Sequence, residues 1–422
     1  MRFTRRSFNR TLAQSSALGL ALGATSAHAA PKPAFSTKLD RILANGLESR
    51  GLPMVAAMVA GPRTTLYQGA FGKRDEAGPK IDTSAIFAIA SMTKAITSAA
   101  ALQLVEQGKI KLDEPVAKFL PAFATLQVMD GYESGGRPKL RPVRVPVTLR
   151  HLLTHTAGFA YDQWSPDWQE YEKHGGTGPS GIAPFIPLIF EPGSRWQYGH
   201  GVDWAGKLVE KISSQSLEEY FQQHILQPLG MTDTSFGVDA RKFDRLVATS
   251  RRQMDGGGSP KGPLKEDKRE PVPVPAEQNG GGGLFSTTAD YTRFMQMILN
   301  QGKAPSGQRI LQAKTVHQMS TNQIGQIQAG VLKSFNPAIS LDVNFHPGAS
   351  DRWGLGFLIN TTPYPGGRSA GSLAWAGIAN TYYWIDPKRK LCAVLMTQIL
   401  PFADTQAVGL LGEFERGVYA SL

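Results

Sequence analysis

Apolar and polar positions along the chain fall into two periods, and their order outlines a fold. Between residues 38 and 50, Leu39, Ile42, Leu43 and Leu47 recur at the spacing of one helical face, which predicts a helix. Residues 53–60 and 64–71 are β-rich runs separated by Gly61-Pro62-Arg63, the pattern of a hairpin. An apolar helix follows through Ala99, Leu102 and Val105 and stops at Gly108. Residues 112–123 form a short helical connection with two prolines, and 125–147 a small hairpin insertion with Asp130-Gly131 and Gly135-Gly136 between β-like pieces. A short helix ending in a polar turn is expected over 148–159. Further helices are expected from Asp203 through Ile212, over 217–225, over 290–299 with Ser286 or Thr287 as cap, and near 313–319. The chain then turns β-rich at 354–360, 372–377, 381–386 and 391–397, before a last helix over 405–419.

Strands at both ends and helices between them imply one sheet, drawn from about 38–85 and 340–422 and split by a mainly helical region at about 90–320. The fold class is therefore α/β plus all-α. Residues 254–283 are rich in glycine, proline and charge without periodicity; such a long loop is expected to be mobile or functional, and the expectation here is that it covers a pocket. No internal repeat is present.

Composition changes this picture mainly at the beginning. Residues 1–29 carry Arg5-Arg6, a mildly apolar run through Leu12, Leu18, Leu20 and Leu22, and Ala27-His28-Ala29 at the spacing a signal peptidase accepts. This reads as a twin-arginine export signal, too short and too rich in Ser, Gly and Thr for a spanning helix. Export to the periplasm or beyond is expected, with residues 30–422 as the catalytic unit and no integral membrane segment in it. The four arginines of the signal contribute to the formal net charge of +11, and the remainder carries +7. That charge is spread out, without the Lys/Arg block of a nucleic-acid binder. Cys392 is the only cysteine, so intrachain disulfides and thiolate metal sites are excluded.

The chemistry centres on Ser91 and Lys94, the one Ser-x-x-Lys spacing in the chain, at the start of the apolar helix. Residues three apart on a helix share a face. A serine hydroxyl becomes a nucleophile when a neighbour takes its proton, and an amine does so only in its free form. For an amine of reference pKa ~10.4, holding off the proton near neutrality takes about 4 kcal/mol, from burial or a second cation. Tyr161, Trp164, Trp168 and Tyr171 cluster in one loop and are candidates for a pocket wall or for ordinary loop packing. No Gly-x-Ser-x-Gly elbow and no His-Glu-x-x-His occur. His155 reads as structural, fixing a loop by hydrogen bonds.

Ser91-x-x-Lys94, the run Leu152-Leu153-Thr154-His155-Thr156-Ala157-Gly158, Tyr198-Gly199-His200, Gly281-Gly282-Gly283-Leu284-Phe285-Ser286-Thr287 and Trp375-Ala376-Gly377 occur in that order. The ordered set resembles the class C β-lactamase-like serine hydrolases, and within them most closely the family VIII carboxylesterases. The resemblance spans nearly all of the chain after the signal. It implies the β-lactamase/transpeptidase-like fold, an antiparallel sheet flanked by helices with a helical insertion. It implies that Ser91 is the acylated nucleophile, Lys94 its hydrogen-bonded lysine and Tyr198 a base or proton shuttle. A tyrosine serves as base when a cation stabilises its phenolate, so Lys94 and Tyr198 are expected to share one proton between them. The backbone N–H groups of Ser91 and Ile378 are the implied oxyanion hole. His200, Trp375 and Gly377 are the candidate substrate-binding residues, with the capping of a turn as the other reading of His200 and core packing in a strand as that of Trp375.

Two positions depart from the penicillin-recognising relatives. His200 stands where they carry asparagine, and Trp375 where they carry a lysine able to pair with a lactam carboxylate. The expected function is therefore an exported serine carboxylesterase acting on short-chain or hindered esters through an acyl-serine, with a small-molecule ester as partner and no cofactor or metal. Two alternatives share the motif set: a β-lactamase or D-alanyl-peptide hydrolase of the envelope, and a catalytically silent peptidoglycan sensor. Retention of Ser91, Lys94 and Tyr198 together argues against the last. Hydrolysis and transfer of the acyl group to an alcohol other than water both fit these patterns.

Overall fold

The computed structural model describes residues 34–174 and 187–421, so the expected export signal lies outside the described residues. Its centre is a seven-stranded sheet whose neighbouring strands all run antiparallel. The amino-terminal part contributes helix α1 (Ala34–Arg50) and strands β1 (Met54–Ala60) and β2 (Thr65–Gly72). The carboxy-terminal part contributes β3 (Arg352–Trp353), β4 (Leu358–Ile359), β5 (Leu373–Gly377), β6 (Thr381–Asp386) and β7 (Leu391–Met396). The order across the sheet is β2-β1-β7-β6-β5-β4-β3, so β1 and β7, over 300 residues apart, pair with Ala56 opposite Met396 and Ala60 opposite Cys392.

Every residue of β1, β6 and β7 is buried, because helices cover both faces. On one side lie α1 and the last helix, Thr405–Tyr419, whose Phe414 meets Trp384 of β6 edge-on. On the other side lie Thr288–Leu299, capped by the Thr287 hydroxyl, and the helix of Ser91. That helix, Thr93–Glu106, is buried on every side over its first twelve residues. An all-round apolar helix has no solvent face and belongs at the centre of a core. The helix Gly201–Ser213 packs against it.

The hairpin insertion appears as strands Gln127–Tyr132 and Pro138–Pro142, with an irregularity between Met129 and Tyr132. The long loop at 254–283 is tied down more than its composition suggests. Leu264–Glu266 pairs with Ser250–Arg252, which in turn pairs in parallel with Ile399–Leu400. Arg269 bonds the carbonyls of Phe243 and Leu246 and pairs with Asp75 at 2.9 Å. It is the carboxyl end of the loop, Gly280 to Gly283, that reaches the Ser91 helix, where the Gly280 carbonyl accepts from Thr97 Oγ1 at 2.6 Å. Among the described residues no helix is long and apolar enough to cross a membrane.

Candidate active site

Ser91 sits in a single 3-10 turn, Ala90–Met92, immediately before its helix. Ala90, the residue before it, has φ +41°, a left-handed conformation that a non-glycine residue holds only when its surroundings enforce it. The enforcement is visible: Ile89 donates to Leu284 O, and Tyr291 OH donates to Met92 O at 2.9 Å. Two segments distant in sequence therefore clamp the turn and aim the hydroxyl.

Lys94 is 1% exposed. Its Nζ has three hydrogen-bond partners: Ser91 Oγ at 3.1 Å, Tyr161 OH at 3.1 Å and Gly281 O at 2.5 Å. The directions can be assigned. A carbonyl only accepts, so Lys94 donates to Gly281. Burial, reinforced by the negative charge of Asp203, holds the Tyr161 phenol well above its usual pKa, so it keeps its proton. That proton goes to Asp203 Oδ2 at 3.0 Å, which leaves the Tyr161 oxygen to accept from Lys94. Lys94 as a free amine would donate both protons to Gly281 and Tyr161 and turn its lone pair toward Ser91.

Asp203 is fully buried in the first turn of Gly201–Ser213. A Cβ at Gly281 would fall 2.3 Å from Asp203 Oδ2, so only glycine lets the loop carbonyl reach Lys94 beside this carboxylate. His200 precedes that helix with its ring 4.2 Å from the Tyr161 ring and its Nδ1 3.8 Å from Asp203 Oδ2. Burial lowers its pKa, Asp203 opposes the shift and Lys94 adds to it, so the net direction favours a neutral ring. His200 Nδ1 and Asp203 Oδ1 are both buried without a hydrogen-bond partner among the described residues. Unpaired buried groups of this kind cost about 1–3 kcal/mol each.

Tyr198 is 2% exposed and lies under the amine rather than beside it, with Lys94 Nζ 4.9 Å from its ring centroid. Its oxygen accepts from Trp375 Nε1 at 3.1 Å, and among the described residues no hydrogen bond joins it to Lys94 or Ser91. Trp375 is 9% exposed, packs on Tyr198 and Trp353, and has its one polar atom engaged by Tyr198. His155 fixes the segment carrying Tyr198: its carbonyl accepts from Gln197 N at 2.9 Å and its Nδ1 from Gly199 N at 3.4 Å. Burial first, and Lys94 second, keep its pKa well below normal, and it makes no hydrogen bond to Ser91 among the described residues.

Strand β5 brings Gly377 against the serine turn. A Cβ there would be 2.3 Å from both Ile89 O and Thr381 Oγ1, so the approach requires glycine. Ile378 follows in the turn to β6, and its N–H has no acceptor among the described residues. The turn is held by Asn380, at φ +58°, whose Nδ2 donates to Ile399 O and Pro401 O at 2.7 and 2.8 Å. Tyr161 and Asp203 are the two members that the motifs do not single out. Tyr161 had shown only as part of an aromatic cluster. Of that cluster, Trp164 also packs on Tyr198, with ring centroids 5.4 Å apart, whereas Trp168 packs at a tilt on Tyr171 within Pro166–Lys173. The one sequence signal for Asp203 is an acid standing alone in the otherwise uncharged run between Tyr198 and Gly206.

The family model "Beta-lactamase" matches residues 39–412, a span that contains Ser91, Lys94, Tyr198 and Gly377. The chain belongs to the β-lactamase family. Its similarity within that family runs toward enzymes of acyl groups. It is 31% identical over 416 residues, covering 90% of this chain and 95% of the relative, to monacolin J acid methylbutanoyltransferase of Aspergillus terreus. It is 30% identical, over 78% of this chain and 84% of the relative, to lovastatin esterase of Penicillium rubens. Among solved structures, the LovD6 mutant of simvastatin synthase from Aspergillus terreus superposes with a TM-score of 0.77 at 30% identity, covering 92% of this chain and 95% of that one. The β-lactamase-family fold thus hosts here a site whose named relatives transfer acyl groups or cleave esters.

Proposed function

We propose that the protein is an exported serine carboxylesterase that works through an acyl-Ser91 intermediate and can pass the acyl group to an alcohol as well as to water. The observation that carries this reading is the hydrogen bond between Ser91 Oγ and a buried Lys94 whose other two partners are fixed. Ser91 Oγ attacks the ester carbonyl, and its proton moves to the Lys94 lone pair. The carbonyl oxygen becomes an oxyanion between the N–H groups of Ser91 and Ile378. As the tetrahedral carbon collapses, its bond to the alkoxy oxygen breaks and the alcohol leaves with the proton. Water or a second alcohol then attacks the acyl carbon, gives up a proton to the same amine, and Ser91 is released.

Tyr198 enters as the proton relay on the leaving-group side. Its oxygen already accepts from Trp375, and Lys94 lies over its ring; both contacts strengthen when that oxygen carries negative charge. Trp375, in this reading, positions Tyr198 and closes the place where a lysine would receive a lactam carboxylate. That favours neutral esters over β-lactams. His200, whose ring packs on Tyr161 at 4.2 Å, is the proposed substrate contact at the edge of the cluster.

The test pairs p-nitrophenyl butyrate with a chromogenic cephalosporin, each with and without an added primary alcohol, on wild type and Ser91→Ala. Ester turnover that disappears in Ser91→Ala, little lactam turnover and a butyrate ester of the added alcohol are expected. Faster lactam than ester turnover would overturn the substrate class. Export is tested separately by Arg5→Lys with Arg6→Lys, which should leave the precursor in the cytoplasm.

A further inference from the structure

The central sheet has a second built face. Trp375 and Tyr383 point toward the catalytic side, where they meet Tyr198 and Tyr291. Ala374, Ala376 and Tyr382 alternate to the other side, toward the last helix, Thr405–Tyr419. Between that helix and the strands lies a cavity of about 450 Å³, within the range of small-ligand pockets. Leu358, Ala376, Tyr382, Phe402 and Leu411 give it an apolar lining.

Its charged groups are unequal. Arg368 and Glu415 form a closed pair with bonds of 2.8 and 2.6 Å, stacked between Tyr364 and Trp384. Arg50 reaches Glu413 at 2.6 Å through one nitrogen, but its Nε is buried with no hydrogen-bond partner among the described residues. Arg416 has no acidic partner within salt-bridge distance among the described residues. Among the described residues the cavity therefore carries one uncompensated positive charge and one buried donor without an acceptor. Two glycines inside the helix preserve the space. At Gly409 a Cβ would fall 2.3 Å from Arg50 Nη1; at Gly412 it would meet only the movable end of Arg416, at 3.2 Å. Glycine is less favourable than alanine inside a helix, so position 412 gives up helix propensity while keeping the cavity wall open.

We propose that this cavity binds a medium-chain carboxylate, with its alkyl tail against the sheet and its head at Arg50 and Arg416. An apolar lining takes the tail, and the unpaired donor and the free cation take a carboxylate. The site is separate from Ser91 and does not depend on the esterase reading. Its floor, β5, is nevertheless the strand that carries Trp375 on its other face.

The experiment is calorimetric titration of full-length Ser91→Ala protein with sodium decanoate, alongside decan-1-ol and decyltrimethylammonium as head-group controls. Saturable binding of one decanoate is expected, about tenfold or more weaker for the alcohol and undetectable for the cation. Gly412→Leu should abolish it at an unchanged melting temperature. If Gly412→Leu fails to fold, Arg416→Met, which alters an exposed side chain, decides: it should weaken decanoate about tenfold and leave decanol unchanged. Full binding in Gly412→Leu would place the ligand elsewhere, the catalytic cleft included, and overturn the proposal. Equal affinity in Arg416→Met, or for decanol, would do the same.

Discussion

At the scale of single residues, the site is organised by how many hydrogen bonds one amine can make. Gly281 and Tyr161 occupy two of the directions around Lys94 Nζ, and Ser91 Oγ lies along the third. Tyr161→Phe keeps the ring between Tyr198 and His200 but removes the acceptor and the proton given to Asp203. A hydrogen bond to a charged group contributes about 1.5–3 kcal/mol, so kcat for p-nitrophenyl butyrate should fall about ten- to hundredfold with KM little changed. An unchanged kcat would mean that Tyr161 does not aim the amine. Ser91 and Lys94 were legible in the sequence because helical spacing alone puts them on one face. Tyr161 and Asp203 were not, because 42 residues separate them and only the tertiary fold joins them.

The two site histidines give a pH signature. Burial lowers the folded-state pKa of both His155 and His200. The unfolded chain, with histidine near ~6.5, therefore binds protons first as pH falls. Their contribution to stability is complete above that value and is lost progressively below it. The urea midpoint should drop between about pH 7 and pH 5, and the slope should be shallower in His200→Gln. A midpoint flat across that range would contradict neutral, buried rings.

At the scale of elements, β5 matters for where it ends. Gly377→Ala inserts a methyl group into Ile89 O and Thr381 Oγ1 and pushes the strand off the serine turn. The expected result is a loss in kcat of about 10²–10³, the effect of losing one oxyanion donor, together with a loss of about 1–3 kcal/mol in stability from the overpacked strand. A fall in stability without a selective fall in kcat would indicate packing alone. Long periodic elements were readable from the sequence: the last helix and the strand Thr381–Asp386 lie where their patterns put them. The short pieces were not. Ser250–Arg252 and Leu264–Glu266 have three residues each, too few for alternation, and exist because Ile399–Leu400 lies alongside. The π segment Gln222–Leu226 is likewise invisible to a 3.6-residue period, which continues through it.

Across the whole molecule, the fold depends on a carboxy-terminal unit returning to strands laid down at the start. Apolar strands at the two ends announced this sheet, although its pairing order was not written in either end. Arg368 and Glu415 fasten the last helix to the segment before β5 through a bidentate pair buried on both sides. Glu415→Ala strands a buried guanidinium, and a loss of about 3–5 kcal/mol in urea unfolding is expected. The double variant Arg368→Met, Glu415→Met should lose much less, since no charge is left unpaired. Equal losses in the two variants would mean that the volume filled, rather than the charge pair, is what counts.

In the proposed mechanism Ser91 carries the acyl group. The most direct measurement is mass spectrometry of the protein quenched in acid during turnover of p-nitrophenyl butyrate, followed by peptide mapping. One butyryl group on the peptide containing Ser91, absent from Ser91→Ala together with the activity, is the predicted result. A butyryl group on any other residue, or turnover that survives in Ser91→Ala, would contradict it.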